Sequence, residues 1–452
     1  MAAVRRPSPI FLLGYKVDMG EFTDEPEHGW KEIECASKRA YGCGQHGKEA
    51  VEGLKLYSRL GDDPLLTSSL AIRMTEEAFQ RFDLEIQLTC PLKDLLVHHR
   101  MFAGGIIQMA DEQGLTVIIL TFVRPFCRDL TYYLVYDNTT ASLSLIQYVP
   151  DLFATVCTSK PVAKRNGSDD FELFVMAREL APVPCRILCA CTPETRANQA
   201  SDGTGPWLIK KHFQHKEFEE PIIAHVAFSL QSKGIWADLS RGLMYCNLDT
   251  SDYNEFGFIR LPRECLLDSE EEVVSDGLVK VNRTMSCVGD SIWFVCIDHA
   301  TEPADAVVKI WTLTGNFQKP RWEKMEEVRV SEIWEFDGFK EARLPKAPLA
   351  YPLLTEGGAL CVTIADQSKF PRHYQPLVED DICIFDMSLK RLQWHGFAHN
   401  YFFTKHLVIP SDFLQSKHAS RKRKFDQHHP AAGPLALALA GSKVVLPPCH
   451  II

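Results

Sequence analysis

Gly234-Ile235-Trp236-Ala237-Asp238-Leu239-Ser240-Arg241-Gly242-Leu243-Met244-Tyr245-Cys246 reads as two short apolar strands folded back on each other. The flanks keep the two-residue period of a strand, and the reversal falls at Ser240-Arg241-Gly242. Glycine at position 242 is expected to supply the positive φ of a tight turn. Trp236 is expected to pack, and Asp238 with Arg241 to fasten the hairpin to a neighbouring element.

Working outward, the same texture recurs. Gly105–Ala110 and Leu115–Val123 flank Asp111-Glu112-Gln113-Gly114, and Tyr132–Asp137 and Ser142–Tyr148 flank Asn138-Thr139-Thr140. Both read as hairpins. Further strand-like runs lie at Phe171–Ala177, Cys185–Cys191, Trp207–Phe213, Ile222–Leu230, Phe256–Leu261, Gly277–Asn282, Ser291–Asp298, Val307–Leu313, Ala359–Ala365 and Asp381–Asp386. Helix signals are few. Thr75–Phe82 has Thr75 as N-cap with Glu76 and Glu77 in the first turn, and Val330–Ala342 is a second, short candidate. Glu21–Gly47 reads as loop, and Glu49–Leu60 alternates only loosely.

Many short strands between turn signals point to an all-β, mostly antiparallel fold: a sandwich, a barrel or a propeller. Three segments share one plan: apolar strands ending at Asp137, Thr314 and Asp386 are each followed eight residues later by Leu145, Trp322 or Trp394. A polar residue closing one strand and an apolar anchor on the next suits a blade hairpin. Residues 1–415 are therefore expected to form one propeller-like body, and 416–452 a disordered tail, basic at first and then rich in Ala, Leu and Pro.

The 452 residues are 46% hydrophobic and 24% charged, an ordinary globular balance. A net charge of −10 repels phosphate backbones, so nucleic acid is not an expected partner. The Leu435–Leu446 stretch, broken by Gly441 and Lys443, is too short to span a bilayer, so no membrane role is expected. Fifteen cysteines without regular spacing fit buried thiols in a reducing compartment. The cytoplasm, the nucleus or both are the expected locations.

Chemistry leaves little trace. Gly42-Cys43-Gly44-Gln45-His46-Gly47 matches a dinucleotide-loop pattern, but Ser37–Tyr41 makes a poor buried strand before it. Cys185, Cys189 and Cys191 share one face of a strand; Cys43 with His46, or His212 with His215, would have to complete a zinc site. Neither pattern supports a cofactor or a metal. No nucleophile elbow, zinc-protease helix or phosphate loop is present, and Glu219-Glu220 and Glu270–Glu272 read as solvated loops. No catalytic residue is assigned. Trp236, Trp293, Trp311, Trp322, Trp334 and Trp394 are expected mostly to be core packers. The basic run Arg421, Lys422, Arg423 and Lys424 is a candidate nuclear-localisation signal, read by an import receptor.

Three segments together resemble a plant family, expanded in grasses, known as domain of unknown function 1618. They are Tyr132–Asp137 running into Ser142–Leu145, the Trp236–Leu243 core with its Trp/Asp/Arg/Gly order, and Phe258-Ile259-Arg260-Leu261-Pro262. The resemblance runs from about residue 8 to about 415. It implies a propeller-like fold akin to F-box-associated domains, with no established catalytic residue to carry over. No F-box helical segment is recognisable at the start, so docking to a ubiquitin-ligase scaffold is not expected. The expected function is a non-catalytic protein-interaction module. The alternatives are a hydrolase with a site in a propeller channel and a nuclear regulatory protein directed by its basic tail.

Overall fold

The first strand of each blade faces a central axis, and six sheets follow one another around it as a six-bladed β-propeller. The computed structural model describes residues 11–14, 16–19, 29–44, 46–59, 67–89, 102–110, 114–123, 129–149, 156–167, 170–179, 185–197, 205–213, 222–249, 256–267, 279, 281–355, 357–364, 378–400 and 406–409. Met1–Leu414 form one unit and Gln415–Ile452 another, and the second lies outside the described residues.

Four blades are simple antiparallel meanders. The third comprises β11 (Val156–Asn166), β12 (Asp170–Glu179), β13 (Cys185–Cys191) and β14 (Leu208–Phe213). The fourth has β15 (Val226–Leu230), β16 (Lys233–Asp238), β17 (Gly242–Asn247) and β18 (Phe256–Arg260). In the fifth are β19 (Arg283–Val288), β20 (Ser291–Asp298), β21 (Val307–Thr314) and β22 (Arg321–Arg329). The sixth has β23 (Leu349–Leu354), β24 (Leu360–Ile364), β25 (Val378–Asp386) and β26 (Arg391–Asn400).

The other two blades share the N-terminal segment. The first is ordered β27 (His406–Ile409), β1 (Phe11–Gly14), β6 (Thr67–Met74), β5 (Leu54–Arg59) and β3 (Lys31–Ile33). The second is β2 (Lys16–Val17), β7 (Phe102–Ala110), β8 (Leu115–Val123), β9 (Leu130–Asp137), β10 (Ser142–Gln147) and β4 (Ser37–Tyr41). β1 pairs antiparallel with β27 from the far end of the body and parallel with β6, so the ring closes through backbone hydrogen bonds. Consecutive inner strands touch from β7 through β11, β15, β19 and β23 to β27.

The core is a set of layers between blades. Residues from the first and second blades share one cluster around Leu56, Ile72, Phe82, Phe122 and Leu143. Another, around Tyr133, Val175 and Trp207, fills the second-to-third gap. Trp236 and Phe174 belong to the layer between the third and fourth blades, Ile235 and Phe294 to the next, and Val308 and Phe385 to the one after that. Side chains alternate across a strand. On β16, Trp236 therefore faces the third blade while Ile235 and Ala237 face the fifth.

Polar ties cross the same gaps. The Trp207 indole N–H donates to Gln147 O at 2.8 Å, Trp236 to Lys160 O at 2.9 Å and Trp322 to Arg260 O at 2.8 Å. Each joins a blade to the one before it. Trp236, Trp311 and Trp334 are buried and Trp293, Trp322 and Trp394 half-buried, as expected of packing residues. Arg165 of β11 reaches back to Asp137 at the end of β9, with Nη2 2.7 Å from Oδ1 and Nη1 3.0 Å from Oδ2.

The three segments read as a repeat are the third-to-fourth-strand hairpins of the second, fifth and sixth blades, counting β7 as the first strand of its blade. Asp137 accepts from the Thr139 N–H and hydroxyl, and Asp386 accepts from the Ser388 hydroxyl and the Leu389 N–H. These local bonds close the turns.

Other expectations need correction. The loop over Glu21–Gly47 contains β3 and β4, and Glu49–Leu60 is split between α1 (Gly47–Glu52) and β5. Both strands are completed by distant partners, β5 and β10 respectively, which local alternation does not register. Of Gly277–Asn282, expected as a strand, the described residues 279, 281 and 282 are helical, and β19 starts at Arg283. Thr75 does begin a helix, accepting the Ala78 N–H at 3.3 Å, and that helix, α2 (Glu76–Thr89), extends past Phe82. Within Val330–Ala342 only α4 (Val330–Ile333) is α-helical; α3 (Pro193–Ala197) is another short helix.

Burial raises the Asp137 carboxyl, but hydrogen bonds from Arg165 and Thr139 outweigh it and hold the group below the ordinary aspartate range. Such a group stabilises the fold above its unfolded-state value of about 3.9, and the contribution is lost as pH falls through the lower folded value. Asp137→Asn should therefore cost roughly 3 kcal/mol at neutral pH, because Arg165 is left half-buried without its anion. Urea unfolding of both proteins at several pH values checks this: the gap should narrow on acidification below about pH 4. A gap constant down to the acid limit would contradict it.

Candidate functional site

The hairpin that opens the sequence argument is the turn between the second and third strands of the fourth blade. Asp238 pairs with Gly242 across it, and the Arg241 N–H donates to Asp238 O at 3.2 Å. Gly242 does not have a positive φ. It is glycine because β18 passes too close: a Cβ there would lie 2.2 Å from Ile259 O and 2.7 Å from Phe258 Cζ. The expected left-handed turn is thus corrected to a close approach of backbones.

Asp238 is the centre of the arrangement. Its Oδ1 accepts the Ser240 N–H at 3.0 Å and the Ser240 hydroxyl at 2.5 Å, and its Oδ2 accepts the Ile223 N–H at 3.2 Å. His225 Nδ1 lies 3.7 Å from Oδ1 and accepts the Leu239 N–H at 3.1 Å. Asp238, Ser240 and His225 are all buried.

An aspartate, a serine and a histidine in contact invite comparison with a hydrolase relay. The order is wrong for one. In a relay the serine donates to histidine, whose other nitrogen is held by the aspartate. Here the serine donates to the aspartate directly, and the histidine nitrogen nearest them is occupied by a backbone N–H. What this geometry does is satisfy backbone donors in a tight, dry turn.

The Arg241 N–H closes the turn, and its carbonyl accepts the Leu261 N–H at 2.9 Å. The side chain that crosses to the next blade is Arg283, at the start of β19. Its Nη1 donates to Leu239 O at 3.0 Å and to Cys265 O at 2.6 Å. Sequence reasoning missed Arg283 because the strand was placed six residues too early. An arginine opening a strand immediately before Thr284-Met285 was the available signal.

Beside this junction, Cys265 and Cys296 bring their Sγ atoms within 3.6 Å. Lys309 forms a second, more exposed cluster here, at 2.7 Å from Asp298 and 3.3 Å from Glu264, with Lys324 3.0 Å from Glu264.

The glycine-rich turn proves to lie between a strand, β4, and a helix, α1, contrary to the loop expectation. Its glycines serve packing: a Cβ on Gly42 would meet Pro206 Cδ at 2.4 Å, and one on Gly47 would meet Cys43 Cβ at 2.4 Å. The Cys43 thiol donates to Tyr41 O and Leu145 O at 3.2 and 3.3 Å. The hollow lined by Cys43, His46, Arg81, Phe82 and Tyr132 has room for about one water, far too little for a nucleotide.

Cys189 and Cys191 lie in the apolar layer against the second blade, and burial raises their thiols to about 12 and about 11. Both side chains fill that layer as small apolar groups. The side chains of Cys185 and His212, together with His215, are outside the described residues, as are Arg421, Lys422, Arg423 and Lys424. Among the described residues no three His, Cys, Asp or Glu side chains converge as a metal site, and no helix is long and apolar enough to cross a membrane.

Residues 236–361 match the model of a family described as "Protein of unknown function (DUF1618)". The resemblance to DUF1618 is shown over that stretch, and the Tyr132–Leu145 segment lies outside it. The matched stretch begins at the buried tryptophan of the hairpin, takes in the whole fifth blade and ends in the second strand of the sixth. No curated protein matches the chain. Among solved structures, an arginine-to-alanine triple mutant of AofleA from Arthrobotrys oligospora is 10% identical, over 87% of this chain and 96% of that one, at a TM-score of 0.29. At that score the likeness carries no argument about the residues here.

The close-approach reading of Gly242 separates cleanly from a turn-conformation reading. Gly242→Ala should destabilise by roughly 3 kcal/mol or more, since the β17–β18 pair must spread. Gly289→Ala, at φ +57 with open space around its Cβ, should cost only about 1 kcal/mol. Chemical denaturation of the two variants checks the ranking, and equal losses would refute the close-contact account.

Proposed function

We propose that the protein is a non-catalytic protein-interaction module. One observation carries the reading: in the hairpin where the family match begins, the Asp238 carboxylate and the His225 imidazole accept backbone N–H groups, the Ser240 hydroxyl donates to Asp238, and the Arg283 guanidinium of the next blade holds the Leu239 and Cys265 carbonyls. Groups so committed act as a scaffold. A ring of blades held this way presents connecting loops at two rims, and loops on a rigid frame are where partner recognition concentrates. Its −10 net charge favours a partner surface with basic groups over a phosphate backbone.

The test is affinity purification of the tagged full-length chain with quantitative mass spectrometry, followed by reconstitution of each candidate pair. A protein that copurifies in stoichiometric amount and binds the purified chain is the expected result. A clean monomer that turns over members of a glycoside and ester panel would instead establish the hydrolase class.

The tail supplies a separate expectation. If Arg421–Lys424 are read by an import receptor, replacing all four with alanine in a large fluorescent fusion should remove its nuclear signal. Unchanged nuclear signal would end the import reading and leave the interaction reading untouched.

A further inference from the structure

We propose that Cys265 and Cys296 are an oxidisable thiol pair that closes a disulfide between the fourth and fifth blades when a peroxide-class oxidant reaches it. The two sulfurs already touch, at 3.6 Å, across the junction. Cys265 ends the short turn after β18, and Cys296 is on β20, so the bond would tie one blade to the next. Rotation of two thiol side chains over little more than an ångström brings them toward the spacing of a bond, about 2.05 Å. Cys189, Cys191, Cys246 and Cys383 are packed in apolar layers between blades.

The surroundings favour Cys265 as the attacking group. The hydrogen bond shared with Cys296 holds its thiol below the ordinary range, against burial and the Asp298 charge, with Arg283 and Lys309 adding positive charge; the same hydrogen bond, with burial, raises Cys296. The Arg283 Nη1 donates to the Cys265 carbonyl at 2.6 Å and keeps the guanidinium at the turn. Access is local. Both sulfurs are buried, but Cys265 is followed directly by Leu266, which is 38% exposed, and the turn is three residues long. Such a segment opens without unfolding the sheets around it.

The chemistry balances with hydrogen peroxide as co-reactant. The Cys265 thiolate attacks one peroxide oxygen, the O–O bond breaks, and the leaving hydroxide takes up the proton the thiol gave, forming water and a sulfenic acid. The Cys296 sulfur then attacks the sulfenic sulfur. Its proton and the sulfenic hydroxyl leave as a second water, and the S–S bond forms. Two thiols are oxidised and one peroxide is reduced.

The experiment uses the intact folded chain, treated with hydrogen peroxide, then unfolded in N-ethylmaleimide, digested and mapped by mass spectrometry. The expected result is a peptide pair joined through Cys265 and Cys296 as the dominant linkage. It should be lighter by two hydrogens than the free peptides, be cleaved by dithiothreitol, and accompany a melting midpoint several degrees higher. In Cys296→Ser, Cys265 should stop at the sulfenic acid and be captured by dimedone. If that variant does not fold, the wild-type map alone decides. Recovery of both cysteines as maleimide adducts from the folded, peroxide-treated chain, or linkage only after unfolding, overturns the proposal.

Discussion

Each blade buries both of its faces against its neighbours, and the rest of the structure follows from that constraint. An isolated four-stranded sheet of this kind would expose both apolar faces, whereas a ring of six leaves neither face of a blade to water. β16 shows how the sequence meets this demand. Ile235 and Ala237 enter one inter-blade layer, Trp236 enters the opposite one, and all three are fully buried. β13 does the same with Ile187, Cys189 and Cys191 on one side and Leu188 and Ala190 on the other. The cysteines here are small apolar fillers, which is why their count exceeds any chemistry assigned to them.

Apolar layers hold blades together without fixing their angle or register. Directional bonds do that. Tryptophan N–H groups donate backward from blade to blade, Arg165 grips Asp137, and Arg283 grips the carbonyls of Leu239 and Cys265. An indole–carbonyl bond contributes on the order of 1 kcal/mol net, but leaving a buried carbonyl unpaired would cost more. Closure of the ring by β1 between β27 and β6 turns these pairwise ties into a cycle, so no blade is left as an end.

How much of this was legible depended on whether a strand's partners were close in sequence. The Leu115–Val123, Tyr132–Asp137 and Ser291–Asp298 strands pair with immediate neighbours and carry long apolar runs, and all were readable. β11 and β23 were not. Both are inner strands whose register shifts at a proline, Pro161 in one and Pro352 in the other, and proline in a run argues against a strand unless a bulge is known. β22 escaped for the opposite reason. It is an outer strand rich in Arg, Lys and Glu, charged as an unprotected edge should be, and only Trp322 marked it. In the hairpin, Trp236 packs toward the third blade and Asp238 holds backbone N–H groups, while Arg283, which the local pattern did not mark, crosses from the next blade.

The sequence by itself determined the all-β class, the short antiparallel hairpins, the packing role of the tryptophans and the likeness to DUF1618. Those rest on side-chain periodicity and turn chemistry, which act over a few residues. Only the tertiary structure decided the number of blades, the N- to C-terminal closure, the reason for Gly242 and the meeting of Cys265 with Cys296. Each of those depends on segments far apart in the chain coming within a few ångströms, and that distance is set by how whole blades pack, which no local pattern encodes.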